Sequence, residues 1–119
     1  MPRTFELLLL DTHVWLWLAA GTGRLSAATR RTIGAAASDG LLRVAAISVW
    51  EIALLASRNR IELGRPTREW VEAALQAPGL SLEPLTAAIA IDSCHLPDGF
   101  RPDPAGAMII ATARHADDA

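Results

Sequence analysis

The sequence lacks most of the features that mark secreted, disulfide-bonded or membrane proteins. Its single cysteine, Cys94, cannot form an internal disulfide, which is consistent with a reducing cytoplasm. Its uninterrupted apolar runs are much shorter than the roughly 20 residues of a membrane span. The amino terminus carries one arginine and no convincing cleavage site, so we expect no signal peptide and a cytoplasmic protein.

The sequence contains no lysine, and its acidic and basic residues are nearly equal in number. All eleven basic residues are arginine and the formal net charge is −2, so no overall basic excess indicates a nucleic-acid binder. Apolar residues make up 51% of the 119 positions, which excludes a disordered chain. We therefore predict a single folded domain over residues 1–119.

The sequence lacks the motifs of two kinds of site, a zinc site and a Rossmann-type nucleotide site. No histidine and cysteine have the spacing of a zinc site, so His13 and His95 are interpreted as ordinary polar residues near helix ends. The first predicted strand is followed by DTHVW instead of a glycine-rich turn, which argues against a Rossmann-type nucleotide site.

Arginine is concentrated in one part of the chain, at Arg58, Arg60, Arg65 and Arg68. The planar guanidinium group can bind two phosphate oxygens at once, so this cluster suits contacts with a phosphate backbone. A solvated helix end and loop would explain the same spacing. The sequence leaves both interpretations open.

Strand-like and helix-like segments alternate along the chain. Short apolar runs predict strands at residues 5–10, 41–48 and 80–85. Helical spacing and capping residues predict helices over 13–20, 26–38, 49–60, 68–77, 86–96 and 103–116, with Ser26 and Thr67 as caps. This alternation predicts an α/β fold in which helices cover both faces of a parallel sheet.

Three acidic residues lie where predicted strands end or helices begin: Asp11, Glu51 and Asp103. Functional sites of open parallel sheets form beyond the carboxyl ends of the strands. The free N–H groups and partial positive charge of a helix amino terminus stabilise carboxylates there. We therefore treat these three acids as candidate site residues.

Each acid also has a purely structural interpretation. Asp11 or Thr12 could cap the helix that follows the first strand. Ser48 and Glu51 have the spacing of a capping box, in which the glutamate bonds back to the cap residue. Asp103 precedes a proline and has the pattern of an ordinary N-cap.

Three segments together resemble the signature blocks of PIN-domain proteins: LLLLDTHVWLWL, ISVWEIALLASRNRIEL and LPDGFRPDPAGAMIIATAR. The nearest branch resembles the VapC toxins of bacterial type II toxin–antitoxin pairs, in register from about residue 6 to residue 115. The resemblance implies a three-layer α/β/α sandwich with a central parallel sheet. It also implies a Mg²⁺- or Mn²⁺-dependent endoribonuclease, homodimers, and a small VapB-like antitoxin whose tail blocks the active site.

The resemblance assigns roles to the candidate residues. Asp11 corresponds to the first metal ligand and Glu51 to the second, the latter acting directly or through water. Thr12 and Ser48 correspond to hydrogen-bonding support for the bound ion, and Asp103 to an acid near the catalytic site. These roles suit Mg²⁺, which prefers hard oxygen ligands and keeps several waters.

The third block departs from the family pattern. Gly106 stands where the family usually has a metal-site aspartate, Ala107 where it has arginine, and Arg101 where it has histidine. Asp103 lies about one helical turn from Gly106 and does not directly replace the lost carboxylate. We expect this loss to reduce the rate on the order of 10²-fold or more.

The last residues depart as well. The family normally continues into a strand of the type L-V-T-x-D that supplies a fourth acid, whereas this sequence reads ARHADDA. Asp117 and Asp118 come too early to replace that acid. We expect the last strand to be absent and one sheet edge to be unpaired.

A catalytically weak binding module is the alternative function. Trp15 and Trp17 are two positions apart in a predicted helix, so both rings cannot face the interior. One of them could lie on a surface that binds an antitoxin or RNA. An exposed ring on a crowded surface would give the same pattern.

Overall fold

A three-stranded parallel sheet organises the molecule, and the computed structural model describes residues 7–97 and 103–118. The elements in these ranges are β1 (Leu8–Leu10), α1 (Thr12–Ala20), α2 (Ala27–Ser38), β2 (Leu42–Ala45), α3 (Ala46–Ser57), α4 (Thr67–Ala74), β3 (Leu80–Glu83), α5 (Ala87–Asp92) and α6 (Pro104–Asp118). No helix in the described ranges is long and apolar enough to cross a membrane.

The strand order is β1-β2-β3. Leu8 is in register with Leu42, and Val44 is in register with Leu82. Because all three strands run in the same direction, their carboxyl ends lie at one edge of the sheet. In the described part of the chain, β1 has a neighbour on one side only.

Successive strand residues face opposite sides of the sheet, and each side has its own apolar cluster. Leu10 and Val44 belong to the larger cluster, which includes buried residues of α1, α2 and α4. Ala45 and Leu9 belong to a smaller cluster formed with α3 and α6. Helices therefore cover both faces, and the predicted PIN-like α/β/α architecture is confirmed.

The predicted start of the third helix is wrong. The predicted strand over 41–48 ends at Ala45, and α3 begins at Ala46 without a side-chain cap. Ser48 therefore lies inside α3, and the capping-box interpretation of Ser48 and Glu51 is excluded. Periodicity alone cannot separate a buried strand from a buried helix in a short apolar run, and the alanines of this segment favour helix.

The other predicted caps have mixed outcomes. Ser26 caps α2 by accepting a hydrogen bond from the Thr29 amide, as predicted. Thr67 does not cap α4, because it is already the first helical residue and Pro66 precedes it. The predicted helix over 68–77 also ends earlier, at Ala74.

Candidate metal centre

The first strand ends directly at a candidate metal ligand. Asp11 has an extended backbone and forms the N-cap of α1, with its Oδ1 accepting a hydrogen bond from the Thr12 amide at 2.7 Å. Its side chain is exposed, and its second oxygen accepts no hydrogen bond from a described residue. The capping role and the ligand role are therefore compatible, because the hydrogen bond to the helix uses one oxygen of an exposed carboxylate.

Thr12 connects this strand end to α3. Its side chain is 1% exposed, and its hydroxyl oxygen lies 2.6 Å from Glu51 Oε1 and 2.8 Å from Ser48 Oγ. A hydroxyl has one proton, and an ionised carboxylate can only accept, so Thr12 donates to Glu51. The hydrogen bond with Ser48 then requires the Ser48 hydroxyl to donate to Thr12.

The helical geometry of α3 places both of its polar side chains on one face. Ser48 and Glu51 are three residues apart, a spacing that brings side chains to the same side of a helix. Ser48 is fully buried, whereas Glu51 is half-buried and keeps part of its carboxylate accessible. Because β2 passes directly into α3, this face lies at the same sheet edge as Asp11.

The two predicted metal ligands, Asp11 and Glu51, each form a hydrogen bond with Thr12. The amide nitrogen and hydroxyl oxygen of one threonine are at most about 4 Å apart, which places the Asp11 and Glu51 carboxylates within about 9 Å of each other. The structure thus brings together residues 39 or more positions apart in sequence. This limit fits a cation that contacts one carboxylate directly and the other through a bound water.

Asp103 caps the last helix. Its Oδ1 accepts a hydrogen bond from the Gly106 amide at 2.7 Å, and its side chain is exposed. In the described ranges Asp103 forms no hydrogen bond with Asp11 or Glu51. Ala105 packs with residues at the β2–α3 junction, so the start of α6 lies beside the helix that carries Glu51.

The donor set fits a weakly held Mg²⁺ better than a preformed tight site. No group of three histidine, cysteine, aspartate or glutamate side chains in the described residues could hold a metal ion. Mg²⁺ in phosphoryl-transfer sites commonly uses one or two carboxylates, several waters and the substrate phosphate. The carboxylates of Asp11 and Glu51 have the donor chemistry that such a set requires.

The remaining charged candidates lie at the surface or outside the described ranges. His13, His95 and the four arginines of the cluster at 58–68 are exposed. Arg101 lies outside the described residues. The sequence did not predict the pair formed by His115 of α6 and Asp92 of α5. His115 Nε2 lies 2.6 Å from Asp92 Oδ2.

Comparison with known proteins decides the family. The model of the PIN domain matches residues 8–119, nearly the whole chain. The chain belongs to the PIN-domain family. Ribonuclease VapC22 of Mycobacterium tuberculosis is 39% identical over 105 residues, which is 88% of this chain and 77% of that protein. The predicted likeness to VapC proteins is therefore confirmed, and no solved structure matches the chain.

Proposed function

We propose that this VapC-like PIN-domain protein is a cytoplasmic endoribonuclease toxin that cleaves RNA phosphodiester bonds with Mg²⁺ or Mn²⁺ held by Asp11 and Glu51. The observation that supports it most is the Thr12 hydroxyl, which connects the start of α1 to Glu51 at 2.6 Å. A family match over residues 8–119 and the similarity to a ribonuclease support the reaction class.

Each residue of the site has a distinct task in this proposal. Asp11 offers to the cation the oxygen that accepts no hydrogen bond from a described residue, while the Thr12 amide fixes its other oxygen. Thr12 holds the Glu51 carboxylate in place and is itself held by Ser48, so the ligand is oriented before the ion arrives. The cation, when bound, supplies an acidified water and offsets negative charge on the scissile phosphate.

The third block limits the expected activity. Gly106 provides no carboxylate, and the nearby Asp103 carboxylate already accepts the hydrogen bond from the Gly106 amide. We therefore propose an impaired enzyme whose cation is held partly by the RNA phosphate. Asp103 remains a candidate for a water-mediated role at the rim of the site.

Cleavage of structured RNA, tRNA included, tests the proposal. The purified protein is incubated with RNA and Mg²⁺ or Mn²⁺, beside Asp11→Ala and the matched surface variant Glu72→Gln. We expect Asp11→Ala to lose about 10²-fold or more in rate, because a metal carboxylate is removed. Glu72→Gln should retain the parent rate, since Glu72 is an exposed residue of α4.

Equal cleavage by the parent protein and Asp11→Ala would refute the assigned mechanism. Cleavage that survives exhaustive chelation of divalent ions would refute the metal requirement. Loss of activity in Glu72→Gln as well would show that the assay reports a change in folding.

A partner-binding function is the second candidate, and exposed apolar side chains favour it. Trp50 is 54% exposed and lines an apolar groove of about 360 Å³ with Leu85, Ile47 and Met108. We propose that this groove takes an apolar segment of a VapB-like antitoxin, because it lies at the starts of α3 and α6, beside the metal centre. Homodimer formation is proposed from the family resemblance alone.

The tryptophan pair fits this function less well than expected. Trp15 is 1% exposed and cannot contact a partner, whereas Trp17 is half-buried and lies beneath the Arg24 guanidinium, 5.6 Å from its ring centroid. Co-expression with the product of the gene immediately upstream tests the revised surface. Trp50→Ser should abolish co-purification and Trp17→Ser should not; the reverse result would refute the Trp50 groove.

A further inference from the structure

Three planar side chains lie together on the outer face of α1, and we call them the planar cluster: His13, Trp17 and Arg24. His13 and Trp17 are four residues apart, which brings side chains to the same face of a helix. Their ring centroids are 6.1 Å apart, with an angle of 53° between the ring planes. The Arg24 guanidinium lies over the Trp17 ring, 5.6 Å from its centroid, at the distance of a cation–π contact.

The turn after α1 brings Arg24 back to the tryptophan ring. Gly21 has a φ of 66°, a left-handed conformation that glycine adopts without a steric penalty. The Thr22 N–H donates to the Trp17 carbonyl, and the Gly21 N–H donates to the Leu18 carbonyl. These two bonds form a Schellman motif, which ends α1 and reverses the chain. Arg24 therefore contacts a ring seven positions earlier in the sequence.

The planar cluster has a fixed base and two exposed groups. Trp17 is half-buried and packs against the larger apolar cluster, so its ring is held by the core. His13 and Arg24 are exposed. Neither side chain forms an ion pair or a hydrogen bond with any described residue. Their planar faces and N–H groups are therefore available to a ligand.

The planar cluster begins beside the candidate metal centre. His13 follows Asp11 by two residues, so their Cα atoms are at most about 7.6 Å apart. No residue of α1 is acidic, and Arg24 adds a positive charge, so this surface attracts a phosphate backbone. An RNA whose phosphate is bound at a cation on Asp11 would have its neighbouring nucleotide next to His13.

We propose that the planar cluster stacks against the base of the RNA nucleotide next to the scissile phosphate. This inference rests on the proposed ribonuclease function. Unpaired RNA bases commonly stack on aromatic rings, histidine included, and on the plane of an arginine guanidinium. His13 and Arg24 supply such planes, and Trp17 is a positioning residue that holds both. Stacking accepts any base, because every base has a π-face.

Binding in the presence of a chelator tests the planar cluster separately from cleavage. The full chain is titrated into fluorescently labelled oligo(A) and into an abasic ribose-phosphate chain of the same length, and fluorescence anisotropy measures both affinities. The two chains carry the same phosphates and differ only in the bases. We expect the parent protein to bind oligo(A) about tenfold more tightly, because stacking adds to the attraction of the phosphates.

Variants at His13 isolate the stacking contribution. His13→Ala should lose most of the preference for oligo(A), whereas His13→Phe should keep it, because a ring is retained. His95→Ala, at an exposed histidine outside the planar cluster, should behave as the parent does. Trp17→Leu should reduce the preference as His13→Ala does. If Trp17→Leu folds poorly, the comparison of His13→Ala with His13→Phe at an exposed position remains decisive.

Variants at arginine separate charge from stacking. Arg24→Gln should weaken the binding of both chains several-fold, because it removes a charge as well as a planar group. Arg31→Gln, at an exposed arginine of α2, should retain the parent affinities. Equal loss in the two variants would show that Arg24 acts only through overall charge and would overturn its place in the planar cluster.

The proposal is overturned if the parent protein binds oligo(A) no more tightly than the abasic chain, or if His13→Ala keeps the full preference. It is also overturned if His13→Ala prevents co-purification of the antitoxin and leaves RNA binding unchanged, since the surface would then bind protein. Asp11-dependent cleavage without any effect of His13→Ala on binding would refute the planar cluster and leave the ribonuclease function intact. Loss of the oligo(A) preference in His13→Ala without any cleavage by the parent would refute the ribonuclease function and support base binding.

Discussion

Thr12 and Trp15 lie one turn apart on α1, and each is 1% exposed, yet their polar groups have opposite fates. The Thr12 hydroxyl forms hydrogen bonds with Ser48 and Glu51 at the carboxyl edge of the sheet. The Trp15 indole N–H forms none with any described residue and lies buried in the larger apolar cluster. One short helix therefore joins two regions with different demands on buried polar atoms.

The two edges differ in whether the protein supplies partners for its buried polar groups. At the carboxyl edge the protein supplies its own partners, so Glu51 is held in place at the proposed cation site. At the amino edge the Trp15 donor has no partner among the described residues, so its burial costs stability. The following changes test this contrast in order of decreasing expected effect.

Thr12→Val tests the carboxyl edge of the sheet, where the buried polar groups have hydrogen-bond partners. Valine keeps the volume but leaves the buried Ser48 hydroxyl and the Glu51 carboxylate without their shared partner, so we expect a loss of about 2 kcal/mol in unfolding free energy. Urea denaturation measures it. Thr32→Val is the matched control, because Thr32 is an exposed residue of α2. If Thr12→Val lost no more unfolding free energy than Thr32→Val, the hydrogen bonds of Thr12 with Ser48 and Glu51 would contribute little to stability.

Gly106→Asp tests whether the carboxyl edge lacks one ligand. The start of α6 packs beside α3 through Ala105, so a carboxylate at position 106 should raise Mn²⁺ affinity about tenfold. Calorimetry measures the affinity, and Ala107→Asp at the next helical position is the control. No gain, or an equal gain in both variants, would contradict the assigned register of this helix.

Trp15→Phe tests the amino edge of the sheet, where the buried indole N–H has no partner among the described residues. The indole N–H contributes no hydrogen bond with a described residue, so its removal should cost only lost packing, about 1 kcal/mol. The loss should be smaller than that of Thr12→Val under the same denaturation conditions. If Trp15→Phe were the more damaging of the two, the contrast between the edges would be wrong.

Local patterns predicted much of the fold and part of the site. Alternating strand and helix signals gave the parallel sheet, and the polar residue after an apolar run placed Asp11 at the end of β1. The predicted start of α3 was wrong because the periodicity of a short apolar run does not separate a buried strand from a buried helix. Consequently Ser48 was expected at a cap, although it lies inside the helix and bonds to Thr12.

Contacts between distant segments were beyond the sequence pattern. The bond from Thr12 to Glu51 spans 39 residues and depends on how α1 packs against α3. An apolar cavity at the amino ends of β2 and β3 is lined by side chains of two helices, among them Leu18 of α1 and Ala73 of α4. Whether small residues on one helix leave a cavity depends on the helix that faces them. The periodicity within either segment therefore does not predict the cavity.

Mn²⁺ binding to the parent protein, Asp11→Asn and Glu51→Gln tests the central claim most directly, because both substitutions remove charge and preserve shape. If the two carboxylates share one cation, calorimetry should show each variant losing affinity by about tenfold or more. Glu62→Gln, an exposed glutamate outside the site, should bind as the parent does. Parent-like Mn²⁺ affinity in Glu51→Gln would contradict the account, since Glu51 would then have no part in holding the ion.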